Sequence, residues 1–362
     1  MRPGKWCGLA AVIALTATAC GSGGGTRATG ADGGPPGRDG FPVRVADCKG
    51  VETTFTAPPR KIVTSNAAAL EMLLRLGAGD RVIGTGFPPG RGTLPGGLGA
   101  RAAKVPVLGK AVIPKEKLLG SGADLYIDTF AAMGGVGGMG GMGGAGDAPT
   151  DEEFKAAGIR HVYLASTACA PMAKGPQRDL SGVEGDLTRL GAVTGTAPRA
   201  RELVAGMRAK VAAVHKAVAD VPEAERPRYF FFDFDAGTKQ PMAVCGKQVA
   251  NAVITQAGAR NVFGDCDGDF TPVSWEDVVA KNPDWIQLAV RDRGDAAANA
   301  KAFDQAAQFL TSFPATKGLA AVRNERFLRI GSEPTTIAGT RNADTVEEIA
   351  HTLYPARFKG GR

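Results

Sequence analysis

Short apolar runs alternate with amphipathic ones along most of this chain, and their spacing predicts strands and helices in turn. Residues 51–55 alternate as an edge strand does, Pro58 and Pro59 stop that run, and residues 61–65 make a short apolar strand. A run rich in Ala, Leu, Glu and Met over 67–76 predicts a helix closed by Gly77, and residues 81–84 form the next strand. Strand, helix and strand in so short a space predict a parallel βαβ unit. The alternation continues with a helix over 114–119, a strand over 125–128, a helix over 152–157 ended by Gly158, and a strand over 161–164.

Leu203, Met207, Val211, Val214 and Val218 then recur at helical spacing, while Arg201, Arg208 and Lys216 fall on the opposite face. This predicts one long helix over 198–220, ended by Pro222. A second alternation follows: strand 228–233, helix 248–257 closed by Gly258, strand 261–263, helix 275–280 begun by Ser274, strand 285–290, helix 300–313, strand 327–330 and helix 346–353. The predicted fold class is α/β, with two Rossmann-like α/β lobes joined by one long backbone helix. A single helical crossing between lobes predicts a small hinge motion.

The N-terminus is of another kind. Arg2 and Lys5 precede an apolar segment over 9–15 that is too short to span a bilayer, so it reads as a targeting segment. The run from Ala17 to Gly21 resembles a bacterial lipobox whose cysteine, Cys20, is lipidated, although a leucine is usual where Ala17 stands. The expected organisation is a signal peptide over 1–19, a lipid-anchored tether over 20–42, a first lobe over 43–195, the connecting helix over 196–222, a second lobe over 223–355 and a tail over 356–362. No later stretch has the length of an apolar spanning helix.

The chain carries 43 Lys and Arg against 36 Asp and Glu, formally +7, but the charges are interspersed and no basic block occurs. That argues against nucleic acid as a partner and leaves an anionic surface or acidic ligand open. Of six cysteines, Cys7 leaves with the signal and Cys20 takes lipid. Cys48, Cys169, Cys245 and Cys266 remain, an even number that in an exported chain suggests two disulfides with three possible pairings. Pairing Cys48 with Cys169 and Cys245 with Cys266 keeps each bond inside one lobe. A Gly/Met-rich insert over 131–148 lies just beyond a predicted strand end and reads as a loop.

Ligand contacts are expected at the strand ends of both lobes. From the first lobe these are Thr64, Ser65, Asn66, Phe87, Phe130 and Met133. From the second they are Phe232, Asp233, Asp235, Met242, Lys247, Arg291, Arg293, Arg341 and Asn342. Aromatic and arginine side chains suit a large, partly planar, anionic ligand. Either Phe231 or Phe232 must face the core, and the loop position of Arg341 leaves two roles open, ligand contact or structural clamp. Met133, Met139 and Met142, with Met242, offer thioethers that suit either an adaptable apolar lid or a soft metal such as Cu(I). Enzymatic signals are weak. His161, His215 and His351 are scattered, no GxSxG motif occurs, and a calcium-loop spacing over Asp265, Asp267, Asp269 and Glu276 fails at Phe270 and Pro272.

Several phrases, in order, resemble the extracytoplasmic solute-binding proteins that deliver ferric siderophores, haem and cobalamin to ABC importers. They are PPRKIVTSNAAALEMLLRLGAGDRVIGTG, VPVLGKAVIPKEKLLGSGADLYI, FKAAGIRHVYL, GDLTRLGAVTG, QAGARNVFGD, PVSWEDVVAKNPDWIQL, LAAVRNERFLRI and GTRNADTVEEIAHTLYP. The resemblance is closest to an actinobacterial-looking branch with a cysteine in ADCKG and another at Cys169. It implies a monomeric, lipid-anchored protein on the extracytoplasmic face, with no resident cofactor, that carries a ferric siderophore or another bulky chelate. Cobalamin, haem and a deazaflavin precursor are the alternatives. The partner implied is a dimeric ABC permease with its ATPase subunits, docked through Glu116 on the first lobe and Glu276 on the second. Both glutamates also suit the first turn of a helix. A surface copper scavenger or sensor co-receptor on the same fold is the reading outside transport.

Overall fold

The computed structural model describes residues 40–90, 93–129 and 148–358. An antiparallel hairpin, β1 (Val43–Ala46) and β2 (Glu52–Phe55), precedes a parallel sheet of β3 (Ile62–Thr64), β4 (Val82–Thr85), β5 (Leu125–Asp128) and β6 (Arg160–Tyr163) in the order β4-β3-β5-β6. Between the strands run α1 (Ala67–Leu76), α2 (Gly97–Ala102), α3 (Lys115–Leu119) and α4 (Asp151–Ala156). After β6 come α5 (Ala165–Ala168), α6 (Ser181–Val193) and the long α7 (Ala197–Ala217).

The second sheet has β7 (Arg228–Asp233), β9 (Arg260–Asn261), β11 (Trp285–Ala289) and β12 (Phe327–Leu328), with β8 (Met242–Val244) and β10 (Phe270–Pro272) as a separate antiparallel pair. Its helices are α8 (Val249–Gln256), α9 (Trp275–Lys281), α10 (Ala296–Ser312), α11 (Ala320–Arg323), α12 (Glu333–Thr336) and α13 (Arg341–Leu353). Read from the other edge, its order is β9-β7-β11-β12, the same permutation as in the first lobe. No helix among the described residues is long and apolar enough to cross a membrane.

The repeat extends to side chains. Asp124, just before β5, accepts hydrogen bonds from the N–H groups of Arg60 (2.8 Å) and Lys61 (2.9 Å) where the first lobe's leading strand begins. Asp284, just before β11, accepts from the N–H of Arg228 at 2.8 Å at the equivalent place in the second lobe. In each lobe the helix after the leading strand is capped by an amide side chain: the Asn66 oxygen accepts from Ala68 and Ala69, and the Gln248 oxygen from Ala250.

Parallel strands covered on both faces read as continuous apolar runs, and β7 shows why. Tyr229, Phe230, Phe231 and Phe232 are all buried. Tyr229 and Phe231 join a core that runs from α1 and α6 of the first lobe through Ala200, Val204, Met207 and Val214 of α7 to α8 and α13 of the second. Phe230 and Phe232 face an aromatic cluster with Trp275 and Phe263. The α7 stripe therefore lies between the two lobes in one continuous hydrophobic body, with Leu203 and Val211 at its margin.

The disulfides join Cys48 to Cys169 and Cys245 to Cys266. The second closes a loop that also holds Gly246, Lys247, Asn251 and Asn261. Against that loop docks the segment before α6. The Gln177 N–H donates to Gly246 O (2.8 Å), its side-chain amide donates to Ser166 O (2.8 Å) and Lys247 O (2.6 Å), and its carbonyl accepts from Asn251 (2.9 Å).

Candidate functional site

In open parallel sheets the crevice where strand order reverses is the usual ligand seat. In the first lobe that crevice lies between the C-terminal ends of β3 and β5, where Ser65, Asn66 and Thr129 stand. The Thr129 N–H donates to Ser65 Oγ at 3.0 Å. Asn66 Oδ1 accepts from the N–H groups of Ala68 (3.0 Å) and Ala69 (3.1 Å), while its Nδ2 is buried with no hydrogen-bond partner. Phe87, half-buried beyond β4, has φ +33°, a left-handed conformation rare for a bulky residue. It is held by a hydrogen bond from Ala67 N–H to its carbonyl (3.0 Å) and another from its own N–H to Ala111 O (3.2 Å). Strain of this sort persists where surrounding structure over-determines it, and clusters at ligand sites.

The equivalent crevice of the second lobe lies between β7 and β11 and is charged. Asp233 Oδ1 accepts from the N–H groups of Asp235 and Ala236, both at 3.1 Å, and burial raises its pKa against the lowering effect of nearby Arg291. Asp235 accepts from the Arg291 N–H at 2.7 Å and forms an ion pair with Arg293.

The two crevices are drawn together by contacts between the lobes. Asp292, just after β11, accepts from Gly90 N–H of the first lobe at 2.7 Å, and a Cβ at Gly90 would collide with that carboxylate. The Asp292 N–H donates to Glu333 at 3.0 Å, and burial raises the Glu333 pKa. Arg341 Nε lies 3.1 Å from Glu71 Oε2, a carboxylate buried within α1 and also paired with Arg75 at 2.7 Å.

Two expectations change. Phe232 is fully buried, stacked on Phe309 with ring centroids 5.9 Å apart and edge-on to Trp275 at 5.4 Å, so it is a core residue rather than a ligand contact. The reason is that both faces of β7 are covered, so both Phe231 and Phe232 turn inward. Arg341 is committed to Glu71, and the clamp reading replaces the ligand one. Thr64 bonds Thr85 Oγ1 at 2.9 Å in the interior, Asn342 bonds Gly339, Pro334 and Ile337, and Lys247 pairs with Asp267 at 2.9 Å. Met242 is half-buried at the start of β8, where it pairs with Pro272 of β10. Phe130, Met133, Met139, Met142 and Cys20 lie outside the described residues.

Sequence reasoning missed Glu71, Gly90, Asp292 and Glu333. Glu71 left a signal, since it follows Leu70 and precedes Met72 and Leu73 in a helix whose only other charged residue is Arg75, one turn on. A surface recess of about 260 Å³ is lined by Leu180, Arg208, Val211 and His215 and lies on the helical spine, not at the strand ends.

Glu116 and Glu276 occupy equivalent places, each the second residue of the helix leading into the strand beside the lobe's leading strand. Both are exposed. Exposed valines accompany them, Val112 before α3 and Val279 one turn on from Glu276.

Two Rossmann-like lobes on a helical spine, with their switch points drawn together, define a solute-binding fold. A family model described as "Periplasmic binding protein" matches residues 62–334, and this chain belongs to that family. An uncharacterized ABC transporter substrate-binding lipoprotein of Bacillus subtilis is 22% identical over 320 residues, covering 88% of each chain. A cobalamin-binding protein of Halobacterium salinarum is 25% identical over 264 residues, which is 72% of this chain and 62% of that relative. Among solved structures, a periplasmic binding protein of Veillonella parvula has a TM-score of 0.72 at 25% identity, covering 87% of this chain and 99% of that one. The family is one of substrate-binding proteins of transporters, as the sequence phrases implied, and not of enzymes.

Proposed function

We propose that this chain is the substrate-capturing lipoprotein of an ABC importer, anchored on the extracytoplasmic face through Cys20. It carries a ferric siderophore or similarly bulky chelate between its lobes as a monomer and presents it to a dimeric permease. The observation that carries this reading is a switch point at the same place in each lobe, one with Ser65, Asn66 and Thr129 and the other with Asp233, Asp235 and Arg291, in lobes joined through Gly90 to Asp292 and through Glu71 to Arg341. Two crevices at equivalent strand ends of joined lobes suit a ligand too large for either alone. Cobalamin is the second reading, favoured by the Halobacterium relative. Glu116 and Glu276, equivalent in the two halves, suit a partner with two equivalent docking sites, and fixed charges at fixed separation set register and steer the encounter.

The test is native mass spectrometry with an absorbance spectrum on the domain from Val43 onward, isolated with whatever it carries from its host's medium. An iron chelate in the complex supports the reading. A corrinoid moves it to cobalamin, and a protein that takes up none of these from concentrated medium sinks it.

A further inference from the structure

The strands of the first lobe are parallel, so their starts share the edge opposite Ser65, Asn66 and Thr129. That edge is basic. Arg60 and Lys61 precede β3, Arg81 precedes β4 and Arg160 opens β6, while Asp124 precedes β5. Asp80, also before β4, is offset by Arg101 at 3.9 Å. The start of α7 extends the same surface. The Arg81 guanidinium donates to Thr194 O, at the turn between α6 and α7, at 2.8 Å, and Arg199 donates to Arg75 O, at the end of α1, at 3.1 Å. Hydrogen bonds to carbonyls leave these charges in place, apart from the partial charge of a helix C-terminus. Arg199 also pairs with Glu202 at 2.7 Å. Among the described residues, Lys61, Arg160 and Arg201 are exposed and in no ion pair. The chain enters the folded body at this place. Phe41 is buried beside Gly195, where a Cβ would lie 3.9 Å from its ring. Val43 pairs with Phe55, and the Arg160 guanidinium carbon lies 5.3 Å from the Phe55 ring centroid. Gly40 is twenty residues on from Cys20, and a chain of that length reaches at most about 70 Å.

We propose that this basic edge binds anionic lipid headgroups and holds the anchored protein with the first lobe's switch point turned away from the bilayer between deliveries. This rests on the reading that Cys20 carries the lipid. The partner is a membrane rather than another polyanion because the chain's own path to its anchor begins on this edge. Each basic residue beside an anionic leaflet strengthens binding about fivefold. Arg60, Lys61, Arg81, Arg160, Arg199 and Arg201 stand against Asp124 and Glu202, a surplus that gives a surface affinity of about millimolar strength. That is too weak to hold a free protein. It is enough for one that a tether keeps at about millimolar effective concentration.

The experiment is co-sedimentation of the chain from residue 20 onward, carrying Cys20→Ser, with phosphatidylcholine vesicles made with and without phosphatidylglycerol. Mass spectrometry of Cys20 in the protein from its own cells accompanies it. The expected result is binding of about millimolar strength to the phosphatidylglycerol vesicles at low salt, none to phosphatidylcholine alone, and loss of binding by about 0.5 M salt. Lys61→Gln, Arg160→Gln and Arg201→Gln together should weaken it about a hundredfold while the thermal melt stays that of the parent. With the parent chain coupled through its Cys20 thiol to a maleimide-bearing lipid, amide exchange over residues 194–201 should slow on phosphatidylglycerol vesicles and not on neutral ones. Equal binding to neutral vesicles, or a triple variant that binds as the parent does, overturns the proposal. So does a preference for a soluble glycerol-phosphate polymer over the vesicles, which makes the wall the partner. A lipidated Cys20 with no vesicle binding overturns the proposal alone, whereas an unlipidated Cys20 overturns the anchor and the proposal together.

Discussion

At Arg341 the guanidinium meets a buried carboxylate before it can meet a ligand. Truncating it leaves Glu71 with Arg75 alone in an apolar helix face, so Arg341→Ala is expected to cost about 1 to 3 kcal/mol in denaturant unfolding. Glu71→Gln in the same background should recover part of that loss, because the charge left behind is what makes the truncation costly. Glu333 gives the opposite sign. Burial raises its pKa in the folded state, so its contribution to stability is full when it is protonated and is lost as pH rises through the folded pKa. Glu333→Gln should therefore be more stable than the parent at pH 7, with the advantage vanishing as pH falls through the carboxylate range, in thermal melts taken as a pH series. Neither residue's role was legible from its own neighbours in sequence. An arginine in a loop near a cleft looks the same whether it awaits a ligand or holds a distant helix, and only the placement of α1 against α13 decides. Phe232 was ambiguous for a related reason: alternation assigns sides, but whether both sides are covered depends on helices far away in the chain.

Among elements, the strands and the long helix were the most legible, since their apolar runs and stripe are local. The expected helix over 198–220 is α7, which ends at Ala217, its last turn loosening before Pro222. The helix expected from 300 begins at Ala296 because Asp295 caps it, accepting from Ala298 N–H at 2.8 Å, and a polar cap in an alanine-rich run gives periodicity nothing to detect. The β8 and β10 pair was missed altogether, as two three-residue strands carry too few positions to show a period. So was the docking of the segment before α6, whose polar ladder is formed by residues distant in sequence. Gln177 is its centre, and all its second-lobe partners sit on the loop closed by Cys245 and Cys266. Gln177→Ala should speed amide hydrogen exchange across residues 170–180 and 245–251 by about tenfold while leaving β3 and β7 protected. The Cys245→Ser, Cys266→Ser pair should move the same peptides in the same direction. Unchanged exchange in these peptides would show that Gln177 does not hold these two segments together.

For the molecule as a whole, one hydrophobic body runs through α7 from lobe to lobe, and that is a stronger restraint on opening than the single helical crossing read from sequence. The proposed docking role of Glu116 and Glu276 can be tested separately from the cleft. Glu116→Lys with Glu276→Lys should abolish uptake in cells while binding of the captured solute by the purified protein stays within about twofold, as exposed charges far from a site change encounter more than affinity. Reduced binding in step with reduced uptake would assign these residues to the fold instead.

Asp124 and Asp284 do the same work in the two halves, tying the start of a leading strand to the entry of its neighbour. That shared detail, together with one strand permutation used twice, makes the two halves alike in backbone. Their side chains differ: one wall of the proposed cleft presents hydroxyls and an amide and the other balanced charges, so a guest seated there could not be turned end for end without loss, and the protein would have a sense of direction toward what it holds.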